Sequence, residues 1–124
     1  MQYILTKEAP SPGGHYSQAV IANGFVFVAG QLPVGPAGPA SIPEGITAQA
    51  ELVLANLQAI LRASNSGLDK VVSLNVFIND ISHWPAVNDV CAKAFGSHKP
   101  ARAIAVSPQL HFGCLVEMQA TAVV

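Results

Sequence analysis

Two charged residues near the C-terminal end are the best candidates for chemistry in this sequence. Arg102 and Glu117 both lie in runs of small and β-branched apolar residues, which are typical of β-strands. An arginine at the start of a strand can hold a carboxylate through two parallel hydrogen bonds. A partly desolvated glutamate has a raised pKa and can transfer protons near neutral pH. These residue types together are suited to binding a small organic acid and acting on it.

The same two residues also have simpler explanations, which the sequence leaves open. They could pair with each other and stabilise the fold, because a glutamate in the middle of a strand is costly unless it is paired. They could also point to solvent on alternate strand positions. The two-residue period of a strand places Arg102 on one face with Ile104 and Val106, and Glu117 on one face with Gln119.

Other familiar catalytic patterns are absent from the sequence. There is no nucleophile elbow, no dinucleotide-binding glycine motif and no P-loop. The histidines lack the HxxxH or HExxH spacing of a metal site, so we predict no metal ligand among them. They are His15, His83, His98 and His111.

The first half of the chain predicts a hairpin followed by a helix. Residues 18–31 contain two strand-like runs around Asn23-Gly24, the pair that favours a tight hairpin turn. Residues 32–45 are rich in proline and glycine and predict a loop. From Thr47 to Ser64 apolar residues recur every three or four positions, which predicts an amphipathic helix.

Residues 70–79 alternate in polarity and predict a strand. One face of this strand should carry Val72, Leu74, Val76 and Ile78.

A second helix is predicted to start near Ser82, which can serve as its N-cap, with Pro85 tolerated in the first turn. Its buried stripe is expected to consist of Trp84, Val87, Cys91 and Phe95.

Two further strands, at about 101–107 and 114–123, complete the order β-β-α-β-α-β-β. Two helices on one face of a mixed sheet make a two-layer α+β fold, and residues 1–124 are expected to form one domain. The other face of the sheet would stay open in a monomer. Because only 10% of the residues are charged, against about 25% in a typical domain, we expect that face to be buried between copies of the chain.

The composition argues against several partners and locations. The net charge is −1 and no basic run occurs, so nucleic-acid binding is not expected. No signal peptide and no membrane span are recognisable. Cys91 and Cys114 lie far apart and predict free thiols in a reducing compartment, which favours a cytoplasmic location.

Several stretches of the chain, taken in order, resemble the RidA/YjgF family of reactive-intermediate (imine) deaminases, also called L-PSP-type endoribonucleases. They include "GHYSQAV", "VAGQLPV", "PARAIAV" and "GCLVEMQATAV". The resemblance extends from about Ala9 to Val123. It implies a chorismate-mutase-like subunit in a homotrimer, with clefts between subunits. It also implies hydrolysis of 2-imino acids to 2-oxo acids and ammonia, without a metal or an organic cofactor.

The resemblance also implies roles for individual residues. Arg102 of the "PAR" motif would bind the substrate carboxylate, Glu117 would activate the attacking water, and Tyr16 would line the cleft from its strand. The other residues implied in substrate binding are Gly30, Gln31, Asn88, Ala103 and Ile104.

Five positions depart from the usual family pattern: His15, Ala29, Ala103, Phe112 and Gln119. They suggest a more apolar and altered pocket. Three other functions therefore stay open beside imine hydrolysis. They are action on a bulkier, pathway-specific imine or carboxylate, non-catalytic binding of 2-oxo acids by a chaperone-like trimer, and ribonuclease activity.

Overall fold

The computed structural model describes residues 1–124, which form a six-stranded sheet with two helices on one face. The elements are β1 (Gln2–Ile4), β2 (Ala19–Ala22), β3 (Phe25–Gln31), α1 (Ile46–Ala63), β4 (Val71–Ile78), α2 (Trp84–Phe95), β5 (Ala101–Val106) and β6 (Val116–Val123). The strands lie in the order β1-β2-β3-β6-β4-β5. Only β4 and β5 run parallel, joined by α2 as a crossover. The two-layer α+β prediction is confirmed.

The edge strand β1 is an addition to the predicted order. It pairs antiparallel with β2, from Gln2 opposite Ile21 to Ile4 opposite Ala19. Its three residues are too few to show an alternating pattern, and only Ile4 is buried. The first strand therefore could not be recognised from local sequence.

The predicted hairpin is confirmed between β2 and β3. Asn23 and Gly24 have φ angles of 52° and 80°, and both central residues of the tight turn that matches strand twist need such positive values. Val26 and Val28 of β3 are buried beneath the helices, whereas Phe25 and Phe27 point to the other face.

The predicted face of β4 is wrong at one position. Leu74, Val76 and Ile78 are buried, but Val72 is 42% exposed and Val71 is buried in its place. The register between β4 and β6 shifts between Val71 and Ser73, so an extra residue interrupts the alternation.

The start of the second helix also differs from the prediction. Asp80, not Ser82, caps the segment, because the Ser82 backbone N–H donates to the Asp80 carboxylate at 2.8 Å. A single 3₁₀ turn follows, and α2 begins at Trp84 with Pro85 in its first turn, where a missing N–H is tolerated.

The buried stripe of α2 is shifted from the one predicted. Val87 and Cys91 are buried as expected, together with Val90. Trp84 is 40% exposed, and Phe95 is only partly buried against the core. Since α2 covers the parallel β4–β5 edge of the sheet, its first turn is left over the rim, where Trp84 lies beside β5.

The face opposite the helices is not covered by any part of this chain. Phe27 is 50% exposed there, and Phe25 and Val123 are also exposed. This face also carries Glu117, which lies opposite Phe77 of β4.

Candidate active site

Glu117 occupies a place that only a glycine on the neighbouring strand permits. The register between β3 and β6 shifts between Val28 and Gln31, and Gly30 lies within this irregular stretch. The Glu117 carboxylate lies directly against the Gly30 backbone, and a Cβ atom at position 30 would collide with the carboxylate oxygen Oε2. The glycine is therefore required by close approach rather than by an unusual backbone angle.

The surroundings of Glu117 alter its acidity in the direction expected from the sequence. Burial raises the pKa of the Glu117 carboxyl group, and the nearby His111 side chain opposes this effect in part. Half-burial without a paired cation makes the carboxylate a better proton acceptor than an exposed one.

A cavity of about 420 Å³ is lined by Gly30, against which this carboxylate rests, but Glu117 itself is not among the lining residues. Tyr16, Gly30 and Gln31, which were predicted to line one site, line it together with His111 and Phe112. The predicted cleft residues on this side of the molecule are thus brought together.

Tyr16 reaches the cavity from a different element than predicted. It lies in the bend before β2 rather than on the strand, and it is 55% exposed. Its hydroxyl oxygen accepts a hydrogen bond from the Gly13 backbone N–H at 3.1 Å. Gln31 is buried at the end of β3, and its side-chain amide donates to the Ala29 carbonyl oxygen at 3.1 Å.

The turn between β5 and β6 adds two residues that the sequence did not identify as a pair. Phe112 has φ 60° and ψ 17°, the left-handed region that residues other than glycine seldom adopt. The His111 and Phe112 rings stack with centroids 3.7 Å apart. The single signal in the sequence was the glycine that follows, Gly113, which also has positive φ.

Arg102 lies in a separate region of the molecule. Its guanidinium carbon is 5.4 Å from the centre of the Trp84 ring, a cation–π geometry. It lines a cavity of about 470 Å³ with Asn88, Cys91 and Lys99, among others. Asn88 and Arg102, both predicted site residues, are thus brought together. Burial raises the pKa of the Cys91 thiol, and the adjacent Arg102 charge opposes that rise.

Arg102 and Glu117 project from opposite faces of the sheet. Arg102 lies opposite the buried Leu74 in the β4–β5 ladder, on the helix side. Glu117 lies opposite Phe77 in the β4–β6 ladder, on the open side. Since β4 separates β5 from β6, these two strands lie two strand spacings apart, roughly 10 Å, and the two residues are also offset along β4, from Leu74 to Phe77. Direct pairing of these two residues within one chain is therefore excluded.

Two predicted binding residues line neither cavity. Ala103 lies opposite Asn75, exposed on the open face. Ile104 lies opposite Val76 on the helix side and packs, partly buried, against the core. Both follow Arg102 on β5, but within one chain they join neither group of site residues.

Three other observations bear on ligands. Cys91 and Cys114 are free, as predicted. No three histidine, cysteine, aspartate or glutamate side chains converge as metal ligands would. Neither helix has both the length and the apolar character needed to cross a bilayer.

Comparison with known proteins gives a consistent assignment. Residues 6–124 match the model of the family described as endoribonuclease L-PSP. The yeast protein MMF1, mitochondrial, from Saccharomyces cerevisiae is 41% identical over 120 residues, spanning 97% of this chain and 82% of that protein. The 2-iminobutanoate/2-iminopropanoate deaminase of Capra hircus is 38% identical over 120 residues, spanning 97% and 88%.

A solved structure extends the agreement to three dimensions. The crystal structure of RidA from an Antarctic Psychrobacter superposes with a TM-score of 0.95 at 35% sequence identity, and the match covers 100% of both chains. The structural match extends over all strands and both helices. The chain therefore belongs to the RidA/L-PSP family.

Proposed function

We propose that this protein hydrolyses small 2-imino acids, or their enamine tautomers, to 2-oxo acids and ammonia. The observation that carries the proposal is the half-buried Glu117 carboxylate, held against Gly30, which lines a cavity together with Tyr16. An iminium carbon is already electrophilic, so a protein need only orient the substrate and move protons. The name of the goat relative, an iminobutanoate deaminase, supports the same chemistry.

In this proposal each residue has a distinct task. Arg102 binds the substrate carboxylate through its planar guanidinium group, which Trp84 and Asn88 flank. Glu117 accepts a proton from the water molecule that attacks the imine carbon. Tyr16 and Gln31 form the wall of the cavity around the reacting group.

The complete site is proposed to form between subunits of a homotrimer. Three observations support this arrangement. Arg102 and Glu117 lie on opposite faces of one sheet, the open face exposes phenylalanine side chains, and only 10% of the residues are charged. Because β5 is an edge strand, packing the open face of one subunit against the β5 edge of another would let Arg102 of the second approach Glu117 of the first.

Subunit mixing with two variants tests both the activity and the shared site. The substrate is 2-iminobutanoate, generated in situ from threonine by a dehydratase. We expect Arg102→Ala to lose the activity because the carboxylate is no longer bound. We expect Glu117→Gln to slow turnover by about 100-fold or more, the usual contribution of a proton-transferring side chain.

Mixing equal amounts of the two inactive variants, followed by dissociation and reassembly, should restore part of the rate. If the subunits mix at random in a closed ring, one side of an interface carries an intact Arg102 in half of the cases, and the other side carries an intact Glu117 in half of the cases. Both are intact at about a quarter of the interfaces, so about a quarter of the wild-type rate should return. A mixture that stays inactive would place the site within one subunit. A folded wild-type protein that does not accelerate hydrolysis would overturn the proposed activity.

A bulkier substrate is the second candidate, and the cavity itself favours it. The exposed rings of Phe112 and Tyr16 lie at its wall, and a space of about 420 Å³ exceeds what a two-carbon side chain needs. This candidate predicts higher kcat/KM for imines of leucine or phenylalanine than for 2-iminobutanoate, with all of them generated by an amino-acid oxidase in the presence of catalase.

Ribonuclease activity is not part of the proposal, although the family description names it. Six lysine and arginine residues are balanced by seven acidic ones, so the chain lacks the excess positive charge that phosphate backbones attract. A cytoplasmic location is retained in the proposal because both thiols are free, as in a reducing compartment.

A further inference from the structure

His111 lines the same cavity as Gly30, and its charge acts on the Glu117 carboxylate, but it has no part in the function proposed above. It lines the cavity wall with Tyr16 and Gly30, and Gly30 is the residue against which the Glu117 carboxylate rests. The imidazole is exposed, so it can meet a ligand in the cavity. A second proton-transferring side chain therefore lies within electrostatic reach of Glu117.

The turn that carries His111 is held in place from both sides. The Phe112 ring stacks on the imidazole at 3.7 Å between centroids. Cys114 is buried, and the Leu115 backbone N–H donates to the Gln49 side chain of α1 at 2.8 Å. Positive φ at both Phe112 and Gly113 sets the direction of the turn. The position of His111 over the cavity is thus built into the fold.

Few ionisable groups share this space with His111. Among the side chains that line the cavity only Tyr16 and His111 are ionisable, and Glu117 lies behind Gly30. Burial, with a smaller contribution from the Glu117 charge, raises the pKa of the Cys114 thiol. The Tyr16 hydroxyl oxygen accepts a hydrogen bond from the Gly13 N–H, and a phenol is a much weaker acid than an imidazolium. An imidazole can hold a proton and release it, so His111 is the side chain of this cavity suited to act as a general acid.

We propose that His111 is the proton donor to the departing nitrogen, acting after Glu117 has activated the water. The inference rests on the imine hydrolysis proposed above. Water adds to the iminium carbon as Glu117 takes one of its protons, which gives a neutral carbinolamine. Protonated His111 then transfers its proton to the amino nitrogen. The C–N electron pair leaves with ammonia, the hydroxyl oxygen forms the C=O bond, and His111 takes back the hydroxyl proton. Glu117 finally passes its proton to ammonia, so one ammonium ion and one 2-oxo acid are produced.

The test compares His111→Gln with His15→Gln, a matched loss of an exposed histidine that does not line the cavity. Hydrolysis of 2-iminobutanoate is followed at saturating substrate from pH 5.5 to pH 9. We expect His111→Gln to lower kcat by about 100-fold or more, and to remove the decline of kcat at high pH that wild type and His15→Gln both show. Added imidazole should raise the rate of His111→Ala and leave the rate of His15→Ala unchanged.

Each outcome bears on a different part of the inference. If wild type and both glutamine variants turn over equally, His111 does not donate the proton, although imine hydrolysis itself stands. If His111→Gln is slow but keeps the wild-type pH profile, and imidazole does not rescue His111→Ala, the histidine merely supports the turn and the inference is wrong. If the folded wild type has no activity, the inference falls together with the proposed function. Phe112→Leu, which removes the stacked ring but keeps the imidazole, should retain the high-pH decline.

Discussion

The Arg102 region and the Glu117 region of this protein are built in opposite ways. Arg102 lies on a strand in regular register with its neighbour, and its side chain is flanked by residues of α2. Glu117 depends on an irregular register between β3 and β6 and on a glycine that leaves room for its carboxylate. The first region is suited to holding a permanently charged group in place. The second is suited to changing the pKa of a carboxyl group.

The difference shows how one sheet can supply two kinds of group. A guanidinium stays charged at any physiological pH, so it needs only a firm support such as the Trp84 ring. A carboxylate that must accept a proton needs partial removal from water, which the close approach to Gly30 provides. Changes in the two regions should therefore have different kinetic signatures.

Among the changes that test this comparison, Gly30→Ala is expected to have the largest effect, and it acts on the Glu117 region alone. The new Cβ would displace the carboxylate, and a displacement of about 1 Å can lower kcat by about 100-fold. Because the carboxylate is the far end of a side chain that can rotate away, the melting temperature should change little. Steady-state kinetics and thermal unfolding measure the two effects.

The double variant Gly30→Ala with Glu117→Gln provides the control. If the glycine acts only through the carboxylate, the double variant should be no slower than Glu117→Gln alone. An additional loss in the double variant would show that Gly30 contributes in another way.

A smaller effect is expected from Trp84→Leu in the Arg102 region. Loss of the cation–π contact would leave the guanidinium less well held, and a contact of this kind at an exposed site corresponds to about a two- to fivefold rise in KM. The value of kcat should change less, since the Trp84 ring supports the group that binds the substrate carboxylate and not the group that accepts the proton. Trp84→Phe keeps an aromatic ring and should stay close to wild type. Equal KM values for the leucine variant and wild type would show that the ring does not support Arg102.

The smallest effect concerns stability and pH in the Glu117 region. Burial raises the pKa of Glu117 in the folded protein, so the folded state favours the protonated carboxyl group. The protonated carboxyl group costs folding little, whereas the ionised one destabilises the folded state. The free energy of unfolding therefore falls as pH rises from the pKa of the unfolded chain to that of the folded protein. Glu117→Gln should therefore have a higher melting temperature than wild type at pH 7.5. The difference should disappear below about pH 4, where the carboxyl group of the unfolded chain is also protonated.

Glu51→Gln, an exposed change on α1, controls for the general loss of one negative charge. A melting temperature for Glu117→Gln equal to or below that of wild type at pH 7.5 would contradict burial as the cause of the raised pKa.

Local sequence was sufficient for the regular parts of the fold. The helix α1, the hairpin at Asn23-Gly24 and the strands that carry Arg102 and Glu117 follow from apolar periodicity and turn chemistry. The same periodicity correctly placed Arg102 with Ile104, and Glu117 with Gln119, on shared faces. Short-range steric and hydrophobic preferences determine these features, so they are visible in a window of a few residues.

Only the tertiary structure decided where those faces lie relative to each other. Val72 points outward because the register shifts at the β4–β6 ladder, and Trp84 remains exposed because the helix begins over the edge of the sheet. The contact of Gly30 with Glu117 joins residues far apart in sequence. Arg102 and Glu117 lie on opposite faces because the register places them opposite Leu74 and Phe77, which point to opposite faces of β4. Such relations depend on strand pairing over long sequence separations, which no local pattern of residues encodes.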